Sequence, residues 1–394
     1  MCLFIAFSFI ANPEIKAESV HTLIQSIIDI VPTCVSNMPV IIKDAMPHFQ
    51  SHDVKILVSY LSNTLIIMDY LPVLVHPILE LCLMQLINMD VEIQVKVDDM
   101  SEEELDEIQS KIFGNGEEDD NDNADDSIDD DDDDDEQDEN LAIKLLIEKL
   151  DLLLFELFSF LASRYRLSSL DQKNGRLVEG QKSVFVALLS VFERTLLRTF
   201  QSRYTQFVIF YFASLNIEFS DMFLGLLARK LFDETGMSSN SSQAGVSSGN
   251  LVHPNSKLNS TDPVVVSSVS YMASFLSRSK YLDPNTFRTC YFLLLSWVEN
   301  YISSVCSEVL PGDKKHHHTS YSKDWILPDS QRHSLFYSVC QALFYVFCFR
   351  HPLLLLQNED EDDKVGGDFM KMFKLKTRFE RIINCKLNPL LVRR

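Results

Sequence analysis

Few residues in this chain have the types and spacing that chemistry requires. The most conspicuous group is His316-His317-His318. Imidazoles can ligate a transition metal. Three adjacent ones on a polar loop, with no Cys or acid at ligand spacing, form a weak site at best. A chance polar loop is the plainer reading. The eight cysteines are Cys2, Cys34, Cys82, Cys290, Cys306, Cys340, Cys348 and Cys385, and none forms a C-x-x-C pair. Most lie among apolar residues, which reads as buried reduced thiols rather than a disulfide framework. There is no nucleophile elbow, phosphate-binding loop, dinucleotide fingerprint, H-E-x-x-H or pair of catalytic carboxylates. No catalytic, cofactor-binding or metal-binding residues are expected, so the chain reads as a non-enzyme.

Charge is the next source of chemistry. The formal net charge is −22, but residues 98–139 hold 24 acids and one base, Lys111. That segment alone carries −23 and leaves the remainder at +1. The protein is a near-neutral apolar body with one acidic insert. The run 129–136 reads as solvated by default; alternatively it meets a basic partner. Consecutive carboxylates on a flexible chain lack a fixed cage for a metal. Ser101 and Ser127 each stand three residues before an acid, Glu104 and Asp130, and are candidate phosphorylation sites. Ser101 with Glu104 reads equally as a helix capping box. Basic residues are not gathered into a stripe with interleaved aromatics, so direct sequence-specific DNA binding is not expected.

The elements that would position such residues are helical. Val20, Leu23, Ile24, Ile27 and Ile28 follow the spacing of one helix face, behind Asn12-Pro13-Glu14 as a start signal. Val54, Leu57, Val58, Leu61, Leu65 and Met68 repeat the pattern after Ser51 and Asp53. Pro72 and Pro77 interrupt it before residues 78–89 resume. Further helices are predicted over 141–161, 184–200, 204–215, 219–232, 264–281, 284–305, 330–349 and 374–386. Pro284 behind Asp283 is a first-turn proline after a cap. Pairs of such helices take roughly 40–45 residues, the HEAT-type period. The predicted fold is all-α, a HEAT-repeat-like helical solenoid with a disordered acidic insert.

The predicted organisation is 1–97 N-terminal repeats, 98–140 the acidic insert, 141–236 central repeats, 237–262 a Ser/Asn-rich loop and 263–394 C-terminal repeats. The two loops are too polar to offset ordering entropy. The apolar start, residues 1–11, lacks a basic n-region and reads as a core helix. The run 141–162 carries Lys144, Glu148, Lys149, Asp151 and Glu156, too many charges for bilayer depth. A soluble intracellular protein without a membrane span is expected.

Two stretches stand out. Phe275-Leu-Ser-Arg-Ser-Lys280 places Arg278 and Lys280 at a helix end. They either complement the helix dipole or form a small basic docking patch. Residues 336–351 are unusually aromatic, with Phe336, Cys340, Leu343, Phe347 and Arg350 on one face and Tyr337, Phe344 and His351 on a neighbouring one. A helix apolar nearly all round is expected to be buried.

These stretches resemble the RNA polymerase I-specific transcription initiation factor family, also called transcription initiation factor IA. The resemblance rests on ordered segments: Tyr70-Leu-Pro-Val-Leu-Val-His-Pro-Ile-Leu-Glu-Leu81, Phe207-Val-Ile-Phe-Tyr-Phe212, Tyr271-Met-Ala-Ser-Phe-Leu-Ser-Arg-Ser-Lys280, residues 336–351, and Phe379-Glu-Arg-Ile382 with Leu387-Asn-Pro-Leu390. It covers residues 30–391, and the acidic insert falls where the family carries one. It implies a HEAT-repeat fold and a non-enzymatic factor that binds RNA polymerase I near its stalk. It implies bridging to a promoter-bound initiation factor complex at ribosomal DNA, a nuclear and nucleolar location, and control by phosphorylation. Animal members carry a Leu-Ala-Arg-Ala-Lys element linked to the promoter-factor contact. Here it reads Leu276-Ser277-Arg278-Ser279-Lys280. Both bases stand and both Ala are Ser, so Leu276, Arg278 and Lys280 are the docking candidates. The family continues beyond the Leu-Asn-Pro-Leu stretch, so C-terminal repeats are expected to be missing. The alternatives are a HEAT-type transport receptor or scaffold, and a basic-protein chaperone acting through the acidic insert. Deleting 98–140 separates the chaperone from the others.

Overall fold

The structure is a computed structural model and describes residues 10–12, 17–101, 133–165, 179–199, 201–235, 262–306, 327–355 and 374–389. Among these the regular elements are all helical. The chain forms two compact units, Met1–Leu215 and Asn216–Arg394.

The first unit contains α1 (Ala17–Ile30), α2 (Met38–Asp44), α3 (Val54–Tyr70), α4 (Val75–Asp98), α5 (Asp133–Tyr165), α6 (Glu179–Arg194) and α7 (Gln206–Ser214). Asp53 caps α3 by accepting from the Val54 N–H at 2.7 Å. Pro72 ends that helix, because the residue before a proline is pushed out of the helical region. A 3-10 turn, Pro72–Leu74, leads into α4, where Pro77 falls in the first turn and sacrifices no hydrogen bond. Helix α4 packs on α3, α5 and α6, and α5 packs on α3. Helices thus meet the next and the next but one, as stacked helical pairs do. Leu61, Leu79, Leu157, Phe185 and Phe212 lie in the core.

Two buried charges fasten this unit. Asp90 of α4 is fully buried. Its Oδ2 accepts from Ser202 Oγ at 2.7 Å and from Tyr204 N, Thr205 N and Thr205 Oγ1 at 2.9 Å. Four donors replace the water that burial removed, and they fix the turn that starts α7. Lys149 of α5 is buried too and donates to the Phe49 carbonyl at 2.8 Å.

The second unit contains α8 (Ile217–Thr235), α9 (Pro263–Arg278), α10 (Pro284–Cys306), α11 (Ser334–Leu355) and α12 (Leu375–Ile383). Helix α9 packs on α8 and α11, and α10 packs on α11 and α12. Phe223, Phe275, Phe287, Tyr291, Trp297 and Leu343 fill the core. Arg378 fastens α12 by pairing with Glu299 at 3.2 Å and lying over the Phe292 ring.

The structure departs from expectation at several boundaries. Helix α5 begins at Asp133, not 141, so the last part of the insert is helical; acids suit a helix N-terminus. Helix α11 runs past 349 to Leu355 but breaks at Arg350 (φ −132°, ψ 15°), two residues before Pro352. Of the face expected to be buried, Phe336, Cys340, Leu343 and Arg350 are buried and Phe347 is half-buried. Tyr345 and Phe349 of the same helix are exposed. The stretch Pro72–Asp98 is long and apolar enough to cross a bilayer, which the sequence reading had not singled out. Half of its apolar window is buried. Six described cysteines are free thiols. Burial pushes Cys82 and Cys340 up to about 12 and Cys290 up to about 11, so these three stay protonated.

Candidate docking site

The Leu276–Lys280 element occupies the end of α9. Asp262 caps the other end by accepting from the Val264 N–H at 2.9 Å, with Pro263 in the first turn. The helix ends where Ser279 leaves helical geometry, although its N–H still reaches the Phe275 carbonyl at 2.9 Å. A tight turn follows, with Leu282 N bonded to Ser279 O at 3.2 Å. Asp283 then caps α10, accepting from Asn285 N at 2.9 Å and Thr286 N at 3.1 Å.

Within the element the side chains divide cleanly. Leu276, Ser277 and Ser279 are buried, whereas Arg278 and Lys280 are exposed. The structure therefore narrows the three docking candidates. Leu276, 0% exposed, has no surface for a partner and anchors the turn from beneath. The two bases carry the accessible charge.

A third cation lies at the same helix end. Arg350 of α11 is buried, and its Nη1 donates to the Leu276 carbonyl at 3.2 Å and the Ser279 carbonyl at 3.0 Å. Its guanidinium lies 5.1 Å from the centroid of the Phe287 ring. Burial lowers its pKa from the ordinary arginine value. The negative end of α9 and an aromatic face compensate this charge in place of a carboxylate. Arg350 thus shares the C-terminal end of α9 with Arg278 and Lys280. Arg278 points back along its helix, donating to Ser274 Oγ at 3.0 Å and to the Ser274 carbonyl at 3.4 Å.

Tyr281 borders the element. Its hydroxyl accepts from Ser279 Oγ at 3.2 Å, and its ring stands edge-on to Phe275. Burial raises its pKa, which keeps it neutral beside the two bases. Two exposed cations thus stand where α9 ends, on backbone that Arg350 holds from inside.

Other candidates are placed less informatively. Ser101 is exposed just beyond α4. Ser127, Glu104 and His316–His318 lie outside the described residues. Among the described residues no group of three or more His, Cys, Asp or Glu is placed to hold a metal ion. A groove of about 540 Å³ in the first unit is lined by His48, Met84, Glu92, Arg194 and Arg198, among others. Its carboxylate, Glu92, already accepts from Gln50 at 2.6 Å. The sequence reading put Arg350 on the core face of its helix but did not read it as a clamp. Its signal was an arginine within an apolar helix, two residues before a proline.

Comparison with known proteins follows the same lines. The profile of the family described as RNA polymerase I specific transcription initiation factor RRN3 matches residues 8–393. The chain belongs to this family. An RNA polymerase I-specific transcription initiation factor rrn3 of Schizosaccharomyces pombe is 28% identical over 356 residues, covering 88% of this chain and 51% of that protein. A mouse protein, named RNA polymerase I-specific transcription initiation factor RRN3, is 27% identical over 380 residues, covering 95% and 49%. The chain thus spans about half the length of these RRN3 relatives. A solved structure of RNA polymerase I transcription initiation factor Rrn3 superposes with a TM-score of 0.64 at 22% identity, covering 98% of this chain and 61% of the other. That likeness shows that the chain has the RRN3 fold, as the resemblance implied.

Proposed function

We propose that this chain acts in ribosomal DNA transcription as a non-enzymatic initiation factor that binds RNA polymerase I near its stalk. In this reading it bridges the polymerase to a promoter-bound initiation factor complex, and it works in the nucleus and nucleolus. The observation that carries the reading is the family match across residues 8–393. The docking residues in this reading are Arg278 and Lys280, both exposed at the end of α9. The mechanism is binding alone. One body that holds two partners raises the effective concentration of each for the other.

The experiment is a pull-down with the tagged chain, first on purified RNA polymerase I and then on the promoter-bound complex. Retention of the polymerase with its stalk subunits is expected. Arg278→Ala/Lys280→Ala should lose at least tenfold in affinity for the promoter complex and keep the polymerase. No retention of the polymerase would sink the function. Undiminished promoter-complex binding by the double variant would sink the site.

A further inference from the structure

Helix α5 carries a second apolar face that nothing above explains. One face is buried through Ile143, Leu146, Leu150, Leu153, Leu157 and Leu161. On the opposite side Leu141, Leu145, Leu152 and Phe155 are 64%, 47%, 45% and 66% exposed. At 100° per residue these four, with Glu148, fall within one narrow strip. Their steps of four, three, four and three residues are those of a coiled-coil seam. The strip from Leu141 to Phe155 is about 21 Å long at 1.5 Å per residue. Scattered exposed leucines are ordinary. A solvent-facing helix side that reads Leu, Leu, Glu, Leu, Phe at core spacing is not.

Charge indicates what fits. Glu148 lies in the middle of the seam and is exposed, Asp151 beside it is exposed, and Glu156 is half-buried on the other flank. The two bases nearby do not cancel them. Lys149 is buried and bound to the Phe49 carbonyl, which leaves half-buried Lys144, one turn before Glu148, as a single base against three acids. A helix laid on this seam would cover the Glu148 carboxylate, and a covered carboxylate needs a cationic partner. We propose that the Leu141–Phe155 strip is the seat of a partner protein's amphipathic helix. That helix has an apolar a/d face and places Lys or Arg opposite Glu148 and along its flanks. This docking is independent of the Arg278/Lys280 site.

The test uses the full chain and a fluorescein-labelled synthetic 21-residue peptide. The peptide has Leu at a and d positions and Lys at the central d position and both flanks. A second peptide has Glu in place of every Lys. Anisotropy should show the Lys peptide binding at least tenfold tighter than the Glu peptide. Glu148→Lys should invert that preference. Leu145→Gln/Phe155→Gln should weaken the Lys peptide at least tenfold while helicity and melting temperature hold, since both positions face solvent. Equal binding of the two peptides, no inversion by Glu148→Lys, or indifference to Leu145→Gln/Phe155→Gln would each overturn the proposal. Sedimentation velocity adds two further arms. A wild-type dimer that Leu145→Gln/Phe155→Gln renders monomeric, with no peptide uptake, would assign the seat to a second copy. Peptide uptake that begins only after residues 102–132 are deleted would assign it to the chain itself. Either result overturns the proposal as stated.

Discussion

The Arg350 guanidinium lies 3.0 Å from the Ser279 carbonyl oxygen, 71 positions earlier in the chain. This contact joins the break in α11 to the end of α9. The non-helical backbone of Arg350, two residues before Pro352, accompanies a side chain turned out of its own helix onto a neighbour's carbonyls. Replacing Arg350 by Met keeps much of the side-chain volume but removes the guanidinium from the Leu276 carbonyl and leaves the Ser279 carbonyl with only the Leu282 N–H. A loss of about 2–3 kcal/mol is expected from urea unfolding, the scale of a charged hydrogen bond. Amide exchange at residues 279–282 should quicken more than elsewhere in the second unit. Exchange that rises evenly through the unit, or not at all, would mean that Arg350 does not hold this turn.

Ser277 gives a prediction of opposite sign. It is buried beside Leu276, and its hydroxyl has no hydrogen-bond partner. Ser277→Ala removes an unpaired buried hydroxyl and raises helix propensity. The variant should be as stable as the parent or more so, by up to about 1 kcal/mol. Promoter-complex affinity should not change, since the side chain faces inward. A destabilisation above about 1 kcal/mol would reveal a partner for the hydroxyl.

How far the sequence could be read follows from the range of each signal. Apolar periodicity reports local geometry, so α3, α9 and α10 were legible, as was the cap at Asp283. The start of α5 was not, because an acidic run reads as solvated while its charges also suit a helix start. Arg278 and Lys280 were legible as bases at a helix end, since the end and the residue types are both local. The contact that Arg350 makes with the same helix end, 71 positions beyond Ser279, was not legible. No spacing rule links an arginine in one helix to carbonyls in another. The exposed strip on α5 was hidden for a related reason: both faces of the helix are apolar, and only packing shows which one is covered.

Asp90 tests the buried polar network of the first unit. Asp90→Ala strands four donors at residues 202–205, three of them in buried bonds and the Tyr204 N–H in a part-buried one. A loss of at least about 3 kcal/mol is expected, because hydrogen bonds to a charged group contribute about 1.5–3 kcal/mol each and partly overlap. Asp90→Asn keeps an acceptor at the same place and should recover part of that loss. An Asn variant no better than Ala in urea unfolding would show that the charge, not the acceptor geometry, does the holding.

His21 supplies a pH dependence. The ring is buried in α1 with Nδ1 3.1 Å from the Tyr70 hydroxyl, while Nε2 has no partner. Desolvation lowers its pKa, against smaller opposing effects of Asn63 and Asp69. A histidine whose folded pKa lies below its unfolded value of about 6.5 binds its proton more readily when unfolded. Its contribution to stability is therefore complete above about pH 6.5 and declines as pH falls toward the depressed folded value. Stability differences between wild type and His21→Gln, measured in urea at several pH values, isolate this effect from the carboxylates. The wild type should lose relative stability between pH 6.5 and 5, and the difference should be flat from 7 to 8. A relative gain on acidification would mean that Asp69 outweighs burial and that the ring is charged in the folded protein.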